Sequence, residues 1–111
     1  MSRFLPADHA KGDETTVGGY EAVHARPAAL DARDGFSYSI ARMADLLGDD
    51  PRGACGAYLM FLRWRRIGEE GVEGHLETAY LEFGATREAA LDALGAWRIA
   101  RAQALLDELL P

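Results

Sequence analysis

The stretch "AYLMFLRWRRIGEEGVEGHLETAYLEFG", residues 57–84, constrains the fold more than any other part of the chain. Ala57 to Arg66 is its most strand-like segment, "IGEEG" has the composition of a turn, and "GVEGHLETAYLEFG" supplies a partner strand. An antiparallel hairpin follows, and its loop length sets the register. With the turn centred in "IGEEG", Arg65 faces Glu73, Arg63 faces His75 and Phe61 faces Glu77. On the other side Trp64 lies over Gly74, Leu62 over Leu76, Met60 over Thr78 and Tyr58 over Tyr80. The dense charge of "RWRRIGEEGVEGHLET" is then the outer face of a hairpin tip, holding cross-strand ion pairs of about 0.2–1 kcal/mol each.

The same register makes a prediction about the other end of the hairpin. The face that is charged at the tip continues with Leu59 and Phe61, opposite Ala79 and Glu77, and then with Leu81 and Phe83. Both faces of the sheet are therefore apolar over part of their length. A small antiparallel sheet ordinarily packs one face on helices and wets the other, so the second face needs cover. Either the two C-terminal helices divide between the two sides, or the N-terminal strand curls over the patch, or Leu59, Phe61, Leu81 and Phe83 form an interface with a second copy or another protein.

The remaining elements complete an α+β pattern. Residues 1–19, with Gly, Asp, Thr and Pro and no period, read as a flexible tail. "YEAVHA", from Tyr20 to Ala25, alternates weakly before Pro27 and reads as a short edge strand. "FSYSI" alternates cleanly, and the strand reading extends to about residue 45, although Ile40, Met43, Ala44 and Leu47 also suit a helix. Thr86 can cap a helix over "REAALDAL" that Gly95 ends, and "WRIARAQALLDELL" forms a second helix closed by Pro111. In that last helix Arg98 and Arg101 lie near the N-terminus and Asp107 and Glu108 near the C-terminus, against the helix dipole. Its stability must come from burying Ile99, Leu105, Leu106, Leu109 and Leu110. The expected architecture is an α+β domain over residues 20–111, with a three- to four-stranded antiparallel meander followed by C-terminal helices.

Composition narrows the chemistry. Twelve basic residues against eighteen acidic ones give a formal charge of −6, which opposes phosphate backbones and anionic lipid surfaces. "RWRR" could grip nucleic acid with Trp64 stacking on a base, but Trp64 and its flanking arginines fall on opposite faces of the strand. The longest purely apolar run, Ala57 to Leu62, is far short of the roughly 18 residues a membrane span needs. A single cysteine, Cys55, excludes an internal disulfide and suits a reducing, cytoplasmic address. Nothing around "GACGA" supplies an oxyanion hole or an activating charge to that thiol. Glycine-rich nucleotide loops, zinc-protease helices and nucleophile elbows are all missing.

Glu73, His75 and Glu77 share one face of a strand at alternate positions and could offer carboxylates and an imidazole to a metal. Opposing Arg63 and Arg65 would repel the cation, so no metal and no cofactor is favoured. With Arg63, these residues are the candidates for a small-ligand or enzyme site, which is the alternative to a non-catalytic interaction domain. His9 and His24 read as ordinary histidines of the tail and the edge strand. The junction "LEFGATREAALDAL" resembles the strand-to-helix junction of HicB-type antitoxins, in which a last strand ends in Gly and a Thr caps the following helix. No counterpart of the DNA-binding appendage often carried by such antitoxins is present, and no assignment rests on the resemblance. A concave, partly polar pocket distinguishes the two functional readings, since a ligand site needs one and an interaction face does not.

Overall fold

The computed structural model describes residues 6–64 and 71–111. Its elements run α1 (Val17–His24), β1 (Ala29–Asp31), β2 (Ser37–Leu46), β3 (Cys55–Trp64), β4 (Val72–Glu77), β5 (Glu82–Gly84), α2 (Arg87–Gly95) and α3 (Ile99–Leu109). The strands form one antiparallel sheet in the order β1-β2-β3-β4, and β5 continues the β4 edge by pairing with the start of β3. This is the expected α+β meander with C-terminal helices. β2 remains a strand as far as Leu46, because Tyr38 and Ile40 on its inner side pair with Arg63 and Phe61 of β3.

The segment expected as an edge strand at Tyr20–Ala25 is instead part of α1. Val17, Tyr20 and Val23 recur at helical rather than strand spacing, and Val17 and Val23 are buried. The Thr16 hydroxyl caps the helix by accepting from the Gly19 N–H at 3.0 Å, and Ala25 closes it in the left-handed region at φ 54°. Structure also starts earlier than residue 20. Thr16 bridges Arg98, the Val17 N–H donates to the Trp97 carbonyl, and the Ile99 N–H donates to the Thr15 carbonyl. The latter bond meets one of the free donors at the start of α3, whose cap residue Arg98 offers no side-chain acceptor. The Arg101 guanidinium lies over the Trp97 ring, 3.4 Å from its centre, which gives one of the two misplaced cations a partner.

The main correction concerns the hairpin register. Phe61 pairs with Leu76, Leu62 with His75 and Arg63 with Gly74, one residue away from the expected pairing, and a bulge shifts the ladder again between Arg63 and Trp64. A slip of one residue exchanges faces. Cys55, Ala57, Leu59, Phe61 and Arg63 therefore share the inner face with Tyr38, Ile40 and Leu76, while Tyr58, Met60, Leu62 and Trp64 share the outer face with His75 and Glu77. The expected Arg65–Glu73 pair and most of the "IGEEG" turn lie outside the described residues.

The core sits between the inner face and the helices. Tyr38, Ile40, Ala57, Leu59 and Phe61 pack with Ala90 and Leu94 of α2, Trp97, and Ala102 and Leu106 of α3. The Trp97 indole donates to Glu82 at 2.9 Å, tying the helix pair to β5. Arg42 points from β2 to the same side, donating to the Leu91 carbonyl at 3.0 Å and to Glu21 at 2.6 Å. Among the described residues, no helix is long and apolar enough to cross a membrane.

Candidate functional site

Two surface features are candidates for a site. The first is the outer face of the sheet. Along β2 and β3 it carries Ala41, Met43, Tyr58, Met60, Leu62 and Trp64, with Val72 of β4 beside Trp64. Met43, Trp64 and Val72 are 38%, 40% and 42% exposed, while the inner-face residues Leu59 and Phe61 are 0% exposed. The Trp64 indole donates to the Ser39 hydroxyl at 2.6 Å, which ties its ring to β2. The charges of this face have one sign. Asp31, Asp45 and Glu77 are the ionised groups at its strand positions, and among the described residues no Lys or Arg stands there.

At the β5 end, the outer face bears a cluster of rings and carboxylates. Tyr58 and Tyr80 meet edge to face, with centroids 5.8 Å apart and planes at 77°. The Tyr80 hydroxyl donates to Asp45 at 2.7 Å, and Glu77 stands across the cavity of about 310 Å³ that these residues line with Arg52, Thr78 and Ala79. The hydrogen bond to Asp45 raises the Tyr80 pKa. Burial, reinforced by the charges of Asp45 and Glu77, raises that of Tyr58. Arg52 makes a two-pronged contact with Asp50, at 3.0 and 2.8 Å, its guanidinium lies over the Phe83 ring, and its charge partly offsets the rise at Tyr80. That contact holds the Asp50 carboxyl at about 2.

The second surface is a cleft of about 500 Å³ at the hairpin end, between the inner face and the end of α3. Phe36, Leu76 and Leu110 give it apolar walls, and Arg33, Asp34, Tyr38, Arg63 and His75 bring polar groups to it. Tyr38 donates to Asp34 at 2.5 Å and the Phe36 N–H donates to the same carboxylate at 3.0 Å. Burial pushes the Asp34 pKa up, but these two bonds and the nearby Arg63 outweigh it and leave the group lowered. Tyr38 is raised, by burial first and by Asp34 second. Arg63 lies over the Phe36 ring at 4.7 Å, with Glu73 at 3.4 Å, and its Nε is shut off from solvent without a hydrogen-bond partner.

The predicted site residues divide between these places. Leu59 and Phe61 are fully buried under the helices and present no surface to a partner, and Leu81 is packed against the same core. Phe83 pairs with Gly56 on the outer face beside Tyr80. Arg63 and Glu73 meet at the cleft, His75 reaches its rim, and the His75 imidazole contacts Glu77 at 3.2 Å. Glu73, His75 and Glu77 do not converge on one point. Among the described residues, no group of three His, Cys, Asp or Glu side chains could hold a metal ion. Cys55 is buried. His9 and His24, read separately in the sequence, both approach Glu14, at 2.7 and 3.6 Å. Asp34 and Tyr38 were not singled out, since only the sheet register brings them to Arg63.

The fold thus defines a two-layer α+β domain with one bare sheet face and a cleft at its hairpin end. Comparison with known proteins finds no matching family model, no matching curated protein and no matching solved structure.

Proposed function

We propose that the chain is a non-catalytic interaction domain that docks an apolar, positively charged segment of a protein partner on the outer face of its sheet. The observation that carries this reading is the face itself. Two ten-residue strands line it with Met43 and Trp64, which are exposed, and with Met60 and Leu62, which are partly buried, while the helices all pack on the other side. Charge selects the partner: Asp31, Asp45 and Glu77 border the apolar row, and the whole chain carries −6. A second copy would bring carboxylates toward carboxylates, whereas a basic amphipathic segment meets both the apolar row and its acidic margin.

The test is calorimetric titration of the full chain with two peptides that share their apolar residues, one with lysines and one with glutamates at the polar positions. The lysine peptide is expected to bind, more weakly as salt rises, and Met60→Glu is expected to abolish binding without loss of the circular dichroism spectrum. Equal binding of both peptides, or of neither, overturns the reading. A dimer seen by light scattering and split by Met60→Glu assigns the face to a second copy instead.

The cleft favours a second reading. Its volume lies in the range of small-ligand sites, about 300–1,000 Å³, and it combines apolar walls with convergent polar groups. Arg33 and Arg63 fit it to a small carboxylate with an apolar body. A thermal-shift series of such acids, repeated on Arg63→Leu, tests this: stabilisation confined to the unsubstituted chain supports it, and its absence removes it.

A further inference from the structure

We propose that Tyr58, Tyr80, Asp45 and Glu77 form a half-cage for an ammonium group, the head of a lysine side chain in the docked segment. The inference rests on the docking reading above and names the feature of the partner that fixes its position. Two rings at 77° offer a π-face and an adjoining wall, the arrangement that attracts a cation through the ring quadrupole. Their cavity of about 310 Å³ has room for an ammonium head and its methylene stem, and it opens on the same face as Met43 and Met60.

The local charge agrees. Asp45 and Glu77 supply two carboxylates, and Arg52, the one guanidinium on the cavity wall among the described residues, is matched by Asp50. His75 contacts one oxygen of Glu77, at 3.2 Å, and leaves that carboxylate one further oxygen to offer. Because Tyr80 donates its hydroxyl hydrogen to Asp45, electron density is pushed into its ring, which strengthens the attraction for a cation. A neutral group of equal size gains none of these terms and would meet two carboxylates that still need solvation. An anion is repelled.

Choline and its uncharged carbon isostere, 3,3-dimethyl-1-butanol, separate charge recognition from apolar contact. Each is titrated into the isotopically labelled full chain at constant ionic strength, with amide chemical shifts as the readout. Choline is expected to give saturable shifts at Asp45, Tyr58, Glu77 and Tyr80 with a millimolar Kd, and the alcohol none that saturate. Tyr58→Phe keeps the ring and is expected to retain binding within about twofold, while Tyr58→Leu weakens it about tenfold, the scale expected for a partly desolvated cation–π contact. Asp45→Asn is expected to weaken it about threefold, as loss of one partly screened charge. A well-dispersed spectrum for each variant shows that it folds. Equal shifts with the alcohol, no saturation with choline, or full binding by Tyr58→Leu overturns the cage. If the lysine peptide binds while choline does not, the cage falls and the docking face stands; the reverse result leaves the cage and removes the docking face.

Discussion

Replacing Phe61 and its neighbour Met60 by alanine, one at a time, tests the register on which both surfaces depend. Phe61 is 0% exposed and packed between Ile40 and Leu76 under the helices. Removing a buried phenyl ring costs about 3–5 kcal/mol, because the lost transfer energy is joined by the cavity left behind. A domain of this size is stable by about 5–15 kcal/mol, so Phe61→Ala removes about a fifth or more of the total. At about 4 °C per kcal/mol, its Tm falls by roughly 12–20 °C. Met60 is half-buried on the outer face, has no helix above it, and loses only the part of its surface already out of water. Its substitution is expected to cost about 1 kcal/mol or less. Urea unfolding followed by circular dichroism gives both values, and an unchanged m-value shows that the transition still exposes the same surface. Met60→Ala costing as much as Phe61→Ala would place Met60 in the core, restore the alternative pairing, and remove the bare face on which the docking reading stands.

Other substitutions report on local features. Gly19→Ala would ordinarily gain up to about 1 kcal/mol in a helix, but here the new methyl collides with the Asp13 carbonyl and the Thr16 cap, so thermal unfolding should show a loss of about 1–3 kcal/mol instead. Thr86→Ala removes the acceptor that caps α2 at 3.0 Å from the Ala89 N–H, and is expected to cost about 1 kcal/mol in the same assay. The lowered Asp34 pKa contributes stability that is present above the unfolded value near 3.8 and is lost as pH falls through the lower folded value. In a pH series of urea midpoints, Asp34→Asn should therefore lower the midpoint at neutral pH and flatten the acid limb below about pH 4, where the two proteins converge.

What was legible in the sequence was set by local chemistry. Thr86 caps α2 as its position before "REAALDAL" implied, "FSYSI" opens a strand, and α3 buries Leu106 and, just past its end, Leu110 of the expected stripe, with Ile99 and Leu105 partly buried and Leu109 exposed. Tyr58 and Tyr80 were expected to face each other and their rings do touch, although the ladder between them is irregular: the Thr78 and Leu81 N–H groups hold it to β3 on either side of the Tyr80 position. What failed depended on parity or on distance along the chain. One residue of difference in the hairpin moved Leu59 and Phe61 from a proposed surface to the core, and no local pattern distinguishes the two pairings, because both faces of β3 are apolar. α1 was misread because "YEAVHA" is too short to separate a period of two from one of 3.6. The Asp34, Tyr38 and Arg63 cluster, and the approach of Thr15 to Ile99, join residues that only the finished fold makes neighbours.

The interruption between β4 and β5 has a consequence for how the chain resists aggregation. Sheets grow sideways when a long edge offers an unbroken row of unpaired N–H and C=O groups to a foreign strand. Here one edge is the three-residue β1, and the other breaks at residues 78–81, where the Thr78 hydroxyl, rather than a carbonyl, receives the Leu59 N–H at 3.0 Å. Past β1, residues 41–46 of β2 form the rest of the first edge, so neither edge is one continuous strand. The most apolar run of the chain, residues 57–62, is locked in the middle strand between them. Local detachment of β4 and β5, well short of global unfolding, would bare one side of that run while β2 still pairs with the other.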